Sequence, residues 1–402
     1  MTFTNLTVFI INFVKKSSQL ELYNFADFFG VSSVTKQAFS SARKKLSPKV
    51  FILLNQKLLE EFYSDNIIIT FKGLRLLAVD ESTLRLPNDS KLRNEYGLDL
   101  ANSSVPIAKI SVMFDVLNQI TLHSSINNYR ASERDLAIAH IKQLPIKNKV
   151  DQSFEDLLMF DRGYPSLGLL FELNSRKKHF LMRIQENFLS ETNTAIKSGI
   201  QDSIITISAF SKDRKPNSRL KEYLPNLQRN TTMQIRILVF NLDSGKKEYI
   251  ITSLIDQNRF SYSDIFTMYR MRWNIEEGYK FYKNIAEIEN FSGKSKIAIE
   301  QDFYATIFAC NISALLMLEA QDEVEEANSE KKLKYKYKIN RNILVGTVKN
   351  EILDVLLGEQ DLNEYCERLK NRIKKNLIPI RPGRRFPRVF KRIRSTIDRR
   401  AL

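Results

Sequence analysis

The sequence predicts an α/β protein: a mixed β-sheet with helices, interrupted by a β-rich insertion and flanked by a helical N-terminal region and a basic C-terminal tail. Three observations carry this expectation. Between residues 66 and 184, short apolar strand-like runs alternate with helical patterns. Over 185–254 the strand-like runs continue, separated by polar and basic stretches. Outside these limits, residues 1–65 read as helices, and 371–402 hold twelve Lys/Arg against Asp398 alone.

In chain order, helices are expected over Val8–Lys16, Leu20–Phe29, Thr35–Leu46 and Val50–Tyr63, with Gly30 and Ser47-Pro48 as stops. The third is short and basic and follows a Gly-containing turn. It suits the recognition helix of a helix-turn-helix-like unit, which would put Lys36, Gln37 and Arg43 on DNA. A plain helical bundle with a basic face fits the same residues equally well.

From residue 66 the pattern turns to strands. Arg75–Val79 ends at Asp80, Ile107–Leu117 alternates, and Ile120–Ile126 returns after Asn118-Gln119 as a hairpin partner. A helix follows over Ser132–Leu144 with Ser132 as N-cap. The strand Asp156–Phe160 ends at Asp161, a helix runs to about Ser175, and His179–Ile184 makes a fifth strand. Within the insertion, strands are expected over Ser203–Ala209, Met233–Phe240 and Glu248–Ser253, with Asp243-Ser244-Gly245 as a hairpin turn.

The α/β domain resumes over 255–320, where Ser261 or Ser263 caps a long helix carrying Tyr269 to Lys283. The uncharged run Phe303–Leu318 is short for a membrane span and fits a buried core helix. Residues 321–402 form a separate basic region, in which Asn340–Leu357 looks helical. Pro379, Pro382, Gly383 and Pro387 interrupt its end, where Arg384 and Arg385 are candidate DNA contacts.

Composition narrows the chemistry. The 402-residue chain has 62 Lys+Arg against 46 Asp+Glu, a net charge of +16, which favours a polyanionic partner, nucleic acid before membrane. Cys310 and Cys366 offer neither a disulfide framework nor a zinc site, and reducing cytoplasm is the expected compartment. Only three histidines, His123, His140 and His179, are present and they are scattered, so carboxylates must do any metal chemistry. The apolar run Val8–Phe13 lacks a basic segment before it and does not read as a signal peptide.

One stretch concentrates the candidate residues. As a helix at about 100° per residue, Tyr269, Arg272, Glu276 and Lys283 fall within an arc of about 60°, while Glu277 points about 100° away from Glu276. Met268, Met271, Ile275, Tyr279 and Tyr282 form a neighbouring apolar stripe that would bury the helix. Asp80 and Asp161 each sit at the C-terminal end of an apolar strand, where ligands collect in α/β sheets. Each also fits an ordinary turn cap, and Arg272 with Glu276 fits an i,i+4 surface pair.

Three segments together resemble a known family. Leu76-Leu-Ala-Val-Asp80-Glu-Ser-Thr-Leu-Arg-Leu-Pro87, Met159-Phe-Asp161-Arg-Gly-Tyr164 and Tyr269-x2-Arg272-x3-Glu276-x6-Lys283 are similar to the DDE transposases of bacterial insertion sequences, in the insertion-sequence-four group with its Tyr-Arg-Glu-Lys signature. The likeness runs from about residue 34 to the C-terminus and includes Arg130-Ala-Ser-Glu-Arg134.

That resemblance implies a ribonuclease-H-like sheet, with the third acid on a helix beyond the insertion. It makes Asp80, Asp161 and Glu276 the catalytic acids and metal ligands for two Mg²⁺ ions, or Mn²⁺, the hard cations carboxylates prefer. It sets Tyr269, Arg272 and Lys283 on the backbone phosphates of double-stranded DNA, at transposon ends and target. A homodimer on paired ends, in the bacterial cytoplasm at the nucleoid and with no membrane, completes the expectation. Glu81 departs from the pattern, where a small residue is expected, and is read as turned away from Asp80. The rivals are an inactive DNA-binding derivative, another ribonuclease-H-like nuclease, and a tyrosine recombinase built on Tyr269, which wants a dispersed Arg-His-Arg cluster.

Overall fold

The computed structural model of the chain describes residues 1–12, 18–28, 30–64, 68–98, 105–144, 154–210, 218–242, 244–330, 335–340, 343–344, 346–348 and 361–380. Four helices open the chain: α1 (Phe3–Asn12), α2 (Ser18–Phe28), α3 (Lys36–Arg43) and α4 (Lys49–Ser64). The Thr35 hydroxyl caps α3 by accepting from the Ala38 amide. Phe9, Phe25, Phe39 and Phe51 of these helices bury against Ala305, Phe308 and Ala309, far along the sequence. The N-terminal helices are therefore packed on the body of the protein.

Arg43 is not a DNA contact. It is 5% exposed, forms an ion pair with Asp302 at 3.0 Å, and donates to Gln301 Oε1 at 2.8 Å and Ser292 Oγ at 2.6 Å. A buried guanidinium must be paired and hydrogen-bonded, and here its partners all lie across the interface. Lys36 and Gln37, in the first turn of the helix, are exposed. Arg384 and Arg385 lie outside the described residues.

The strands are β1 (Leu74–Arg85), β2 (Ile107–Asp115), β3 (Ile120–Asn128), β4 (Glu155–Phe160), β5 (His179–Ile184), β6 (Asp202–Ser208), β7 (Thr232–Asn241) and β8 (Lys247–Thr252). They form one mixed sheet in the order β3-β2-β1-β4-β5-β8-β7-β6. β1, β2 and β3 are an antiparallel meander, while β1-β4 and β4-β5 pair in parallel. Parallel pairing needs crossover helices, supplied by α6 (Glu133–Gln143) and α7 (Leu167–Ser175). Such a large mixed sheet with helices fits a ribonuclease-H-like fold.

Two features differ from expectation. β1 does not stop at Asp80 but continues to Arg85, because residues 80–85 keep pairing with β2 through Arg85↔Ile107. The strands of 202–252 extend the main sheet, β8 lying antiparallel to β5 with Leu181 opposite Thr252. Three short helices had no periodic signal long enough to announce them: α5 (Ser90–Tyr96), α8 (Ser190–Lys197) and α9 (Ser218–Tyr223).

Ser261, not Ser263, caps the next helix, with Asp264 answering in a capping box. The long helix expected through Lys283 is divided into α10 (Tyr262–Met271) and α11 (Asn274–Asn284). At the junction the backbone stays right-handed, but Arg272, Trp273, Ile275 and Glu276 donate to carbonyls three residues back, a local tightening of the 3₁₀ kind.

Helix α12 (Lys296–Glu330) crosses the position where the catalytic part was expected to end. Its segment Lys296–Leu318 is long and apolar enough to cross a membrane, with 67% of that window buried inside the protein, as a core helix would be. Beyond it, β9 (Lys336–Ile339), α13 (Leu362–Lys374) and β10 (Leu377–Ile380) follow. Ile339, Tyr365, Leu369 and Ile373 pack with Ala320 and Val324, so the C-terminal region has a small core of its own continuous with α12.

Candidate active site

Strand register sets up the site. β1 and β4 run parallel with Ala78 opposite Met159 as their last pair. Continuing that register two residues places Asp80 across from Asp161. Side chains alternate between the faces of a sheet. Leu76, Ala78, Leu157 and Met159 belong to the core beneath α10 and α11, whereas Leu77, Val79, Leu158 and Phe160 belong to the core on the opposite face. The alternation directs both aspartates toward the helices α10 and α11.

The helices complete the arrangement. Met268, Tyr269, Ile275, Tyr279 and Tyr282 are buried in that same core, which turns the adjoining polar stripe toward the sheet. Gly278 of α11 faces the Phe114 ring of β2, where a Cβ would stand at an ordinary contact distance of 3.5 Å. Tyr279 donates its hydroxyl to the Asp80 carbonyl at 2.7 Å. Glu276 is half-buried on this side, while Glu277 is exposed and pairs with Lys280.

The electrostatics join the three acids. Asp80 is raised to about 6, first by burial, and further by the charges of Asp161 and Glu276, while the Glu81 amide and Arg272 oppose the shift. Tyr269 donates to Asp161 Oδ1 at 3.5 Å, and burial pushes its phenol up. Arg272 is 4% exposed. Burial works against its charge, but Tyr269, Asp161 and Asp80 raise its pKa overall. Its guanidinium carbon lies 5.6 Å from the centre of the Tyr269 ring and 5.9 Å from that of Trp273, and Nε has no hydrogen-bond partner. Lys283 donates to Ser82 Oγ at 2.8 Å, and burial lowers its pKa, with Glu289 opposing and Arg85 adding.

Thus Asp80, Asp161, Glu276, Tyr269 and Arg272 come together, with Lys283 further along the same strand and helix. Lys36 and Gln37 are on a separate, N-terminal surface. The donor set is carboxylate oxygen with no histidine: His123 and His140 hydrogen-bond each other, and His179 faces Ser253 and Glu155. That chemistry fits a hard divalent cation, which would also relieve the repulsion from Asp161 and Glu276 that adds to the effect of burial on Asp80. Among the described residues, no three His, Cys, Asp or Glu side chains form a ready-made metal-holding group.

Other residues at the site escape a pattern search. Glu81 turns to the opposite face, where its carboxylate lies 3.0 Å from Lys109 Nζ. It is raised to about 7, first by burial, with Lys109 opposing and Glu133 adding. Tyr164 is 1% exposed and its hydroxyl has no partner. Burial raises its phenol, and the charges of Asp80, Glu81 and Glu133 add to the shift. Tyr279 reads in sequence as one more apolar stripe residue. Only the contact with the Asp80 carbonyl separates it from the others.

Known proteins match the chain as follows. The family described as Transposase DDE domain matches residues 71–312. The transposase InsG for insertion sequence element IS4 of Escherichia coli strain K12 is 23% identical over 262 residues, which cover 63% of this chain and 54% of that protein. The chain thus spans about half the length of that curated relative. Among solved structures, the piggyBac transposase synaptic complex with hairpin DNA aligns with 95% of this chain and 76% of its own, at 12% identity and a TM-score of 0.44.

Proposed function

This chain belongs to the transposase DDE domain family, and from that premise we propose that it is the transposase of an insertion sequence of the insertion-sequence-four group. It binds the terminal inverted repeats of its element as a homodimer and carries out metal-dependent strand cleavage and strand transfer. The observation that carries this reading is the convergence of Asp80, Asp161 and Glu276 in one electrostatic centre, with Asp80 raised to about 6.

Asp80, Asp161 and Glu276 would hold the divalent ions, two Mg²⁺ in this reading. When bound, the ions supply an activated water or DNA 3′-hydroxyl for in-line attack and stabilise the leaving oxygen. The remaining groups position DNA. Arg272 lies over the Tyr269 ring beside Asp161 and Asp80, and its charge would meet a phosphate brought up to those acids. Tyr269 orients Asp161, and Lys283 adds a cation at the far end of the stripe. Lys36 and Gln37, exposed on α3, would read or hold duplex outside the scissile step. Arg384 and Arg385 complete the proposed set of DNA contacts.

The test uses DNA carrying the inverted repeats that flank the gene. The parent chain is expected to cut and join these ends in Mg²⁺, while Asp80→Asn and Asp161→Asn bind the same DNA and leave it intact. End cleavage that survives both substitutions would refute the assignment.

A further inference from the structure

The turn that carries Asp161 is braced against the strand that carries Asp80 by residues outside the acidic triad. Glu133 opens α6 immediately after its Ser132 cap. Its Oε2 lies against Gly163, where an added Cβ would stand 3.0 Å away. The next residue, Arg134, donates to the Gly163 carbonyl from Nε at 3.3 Å and from Nη2 at 3.2 Å. On its other side the Glu133 carboxyl neighbours that of Glu81 and adds to its upward shift. Lys109 closes the group, 3.0 Å from Glu81 and donating to the Ala131 carbonyl at 2.9 Å. The turn itself is short, the Tyr164 amide returning to the Asp161 carbonyl at 3.2 Å.

One helix start therefore touches both the residue after Asp80 and the turn begun by Asp161. We propose that Glu133 is a positioning residue that works through Glu81 and Gly163 to set the separation of Asp80 and Asp161, and with it the affinity of that pair for a divalent cation. This rests on the reading of Asp80 and Asp161 as metal ligands. It gives a role to Glu81, whose bulk beside Asp80 is otherwise unexplained, and to the Arg130–Arg134 segment. It also fits the glycine at position 163, where a Cβ would stand 3.0 Å from Glu133 Oε2. Outer groups that orient metal ligands typically change affinity by about 10- to 100-fold when removed.

The experiment is calorimetric titration of the purified full-length chain with Mn²⁺, alongside thermal unfolding. Glu133→Ala is expected to weaken Mn²⁺ binding by about ten-fold or more. Glu133→Gln keeps the length of the side chain and can donate its amide to Glu81, and is expected to bind within about three-fold of the parent. Glu133→Asp keeps the charge but withdraws the carboxyl from Glu81 and Gly163, and is expected to weaken binding like Glu133→Ala; it decides the matter alone if Glu133→Ala does not fold. Parent-like affinity in a folded Glu133→Ala or Glu133→Asp overturns the proposal. Asp80→Asn separates the two levels: if it too binds Mn²⁺ as the parent does, the failure belongs to the ligand assignment.

Discussion

Tyr279 donates its hydroxyl to the main-chain carbonyl of Asp80 at 2.7 Å, so the helix that carries Glu276 is tied to β1 at the acidic residue itself. Phenylalanine at 279 would keep the packing and lose only that bond. The Asp80 carbonyl keeps the longer contact from Ser111 Oγ at 3.5 Å, so the loss of the shorter bond costs about 0.5–1.5 kcal/mol. The expected result for Tyr279→Phe is an end-cleavage rate lower by about ten-fold or more at nearly unchanged DNA affinity, measured by single-turnover cleavage and gel-shift titration.

Asp80 gives a pH prediction with a definite sign. Its folded pKa is about 6, above the ordinary carboxyl value of 3.8. A raised carboxyl contributes stability that is fully present below the unfolded value and lost as pH rises through the folded one. In metal-free buffer, Asp80→Asn should therefore be more stable than the parent at pH 8, by about 1–3 kcal/mol, and show little gain at pH 3. Denaturant unfolding of both chains at the two pH values checks this.

Arg43 and Lys36 lie in one short helix and should behave oppositely. Removing the Arg43 side chain leaves Asp302, whose side chain is 1% exposed, without its ion pair. The expected cost of Arg43→Ala is about 3–5 kcal/mol of folding stability. Lys36→Ala should stay within about 0.5 kcal/mol of the parent and lower affinity for end DNA. Urea unfolding and a DNA-binding titration separate the two effects.

Arg272 is expected to resist conservative replacement. Its planar guanidinium stacks on Tyr269 while facing Asp161 and Asp80, a role an ammonium does not reproduce. Arg272→Lys should retain the fold but lose about 100-fold in end cleavage, which a cleavage assay with a matched thermal melt would show.

Much of this site was legible in the sequence because it depends on period and position. The spacing of Tyr269, Arg272, Glu276 and Lys283 put them on one stripe, and the apolar Met268, Ile275, Tyr279 and Tyr282 told which side was buried. Asp161 lies at its strand end as expected. Asp80 does not, since nothing local shows that Glu81 to Arg85 keep pairing with β2. The junction at Arg272-Trp273 was hidden for a related reason: the backbone stays right-handed there and only the hydrogen-bond pattern tightens. Arg43 misled because a buried cation and a DNA-facing one look alike in a basic helix, and its partner Asp302 lies far along the chain. Glu133 was visible only as part of a motif, because its contacts with Glu81 and Gly163 are tertiary.

The choice between neighbouring acids is the most direct test of the proposed centre. Glu276 shares the electrostatic field of Asp80, whereas Glu277 faces solvent beside Lys280. Cleavage of inverted-repeat DNA in Mg²⁺ should be abolished in Glu276→Gln, with end binding retained, and unchanged in Glu277→Gln. Cleavage that survives Glu276→Gln, or is lost with Glu277→Gln instead, would contradict the account.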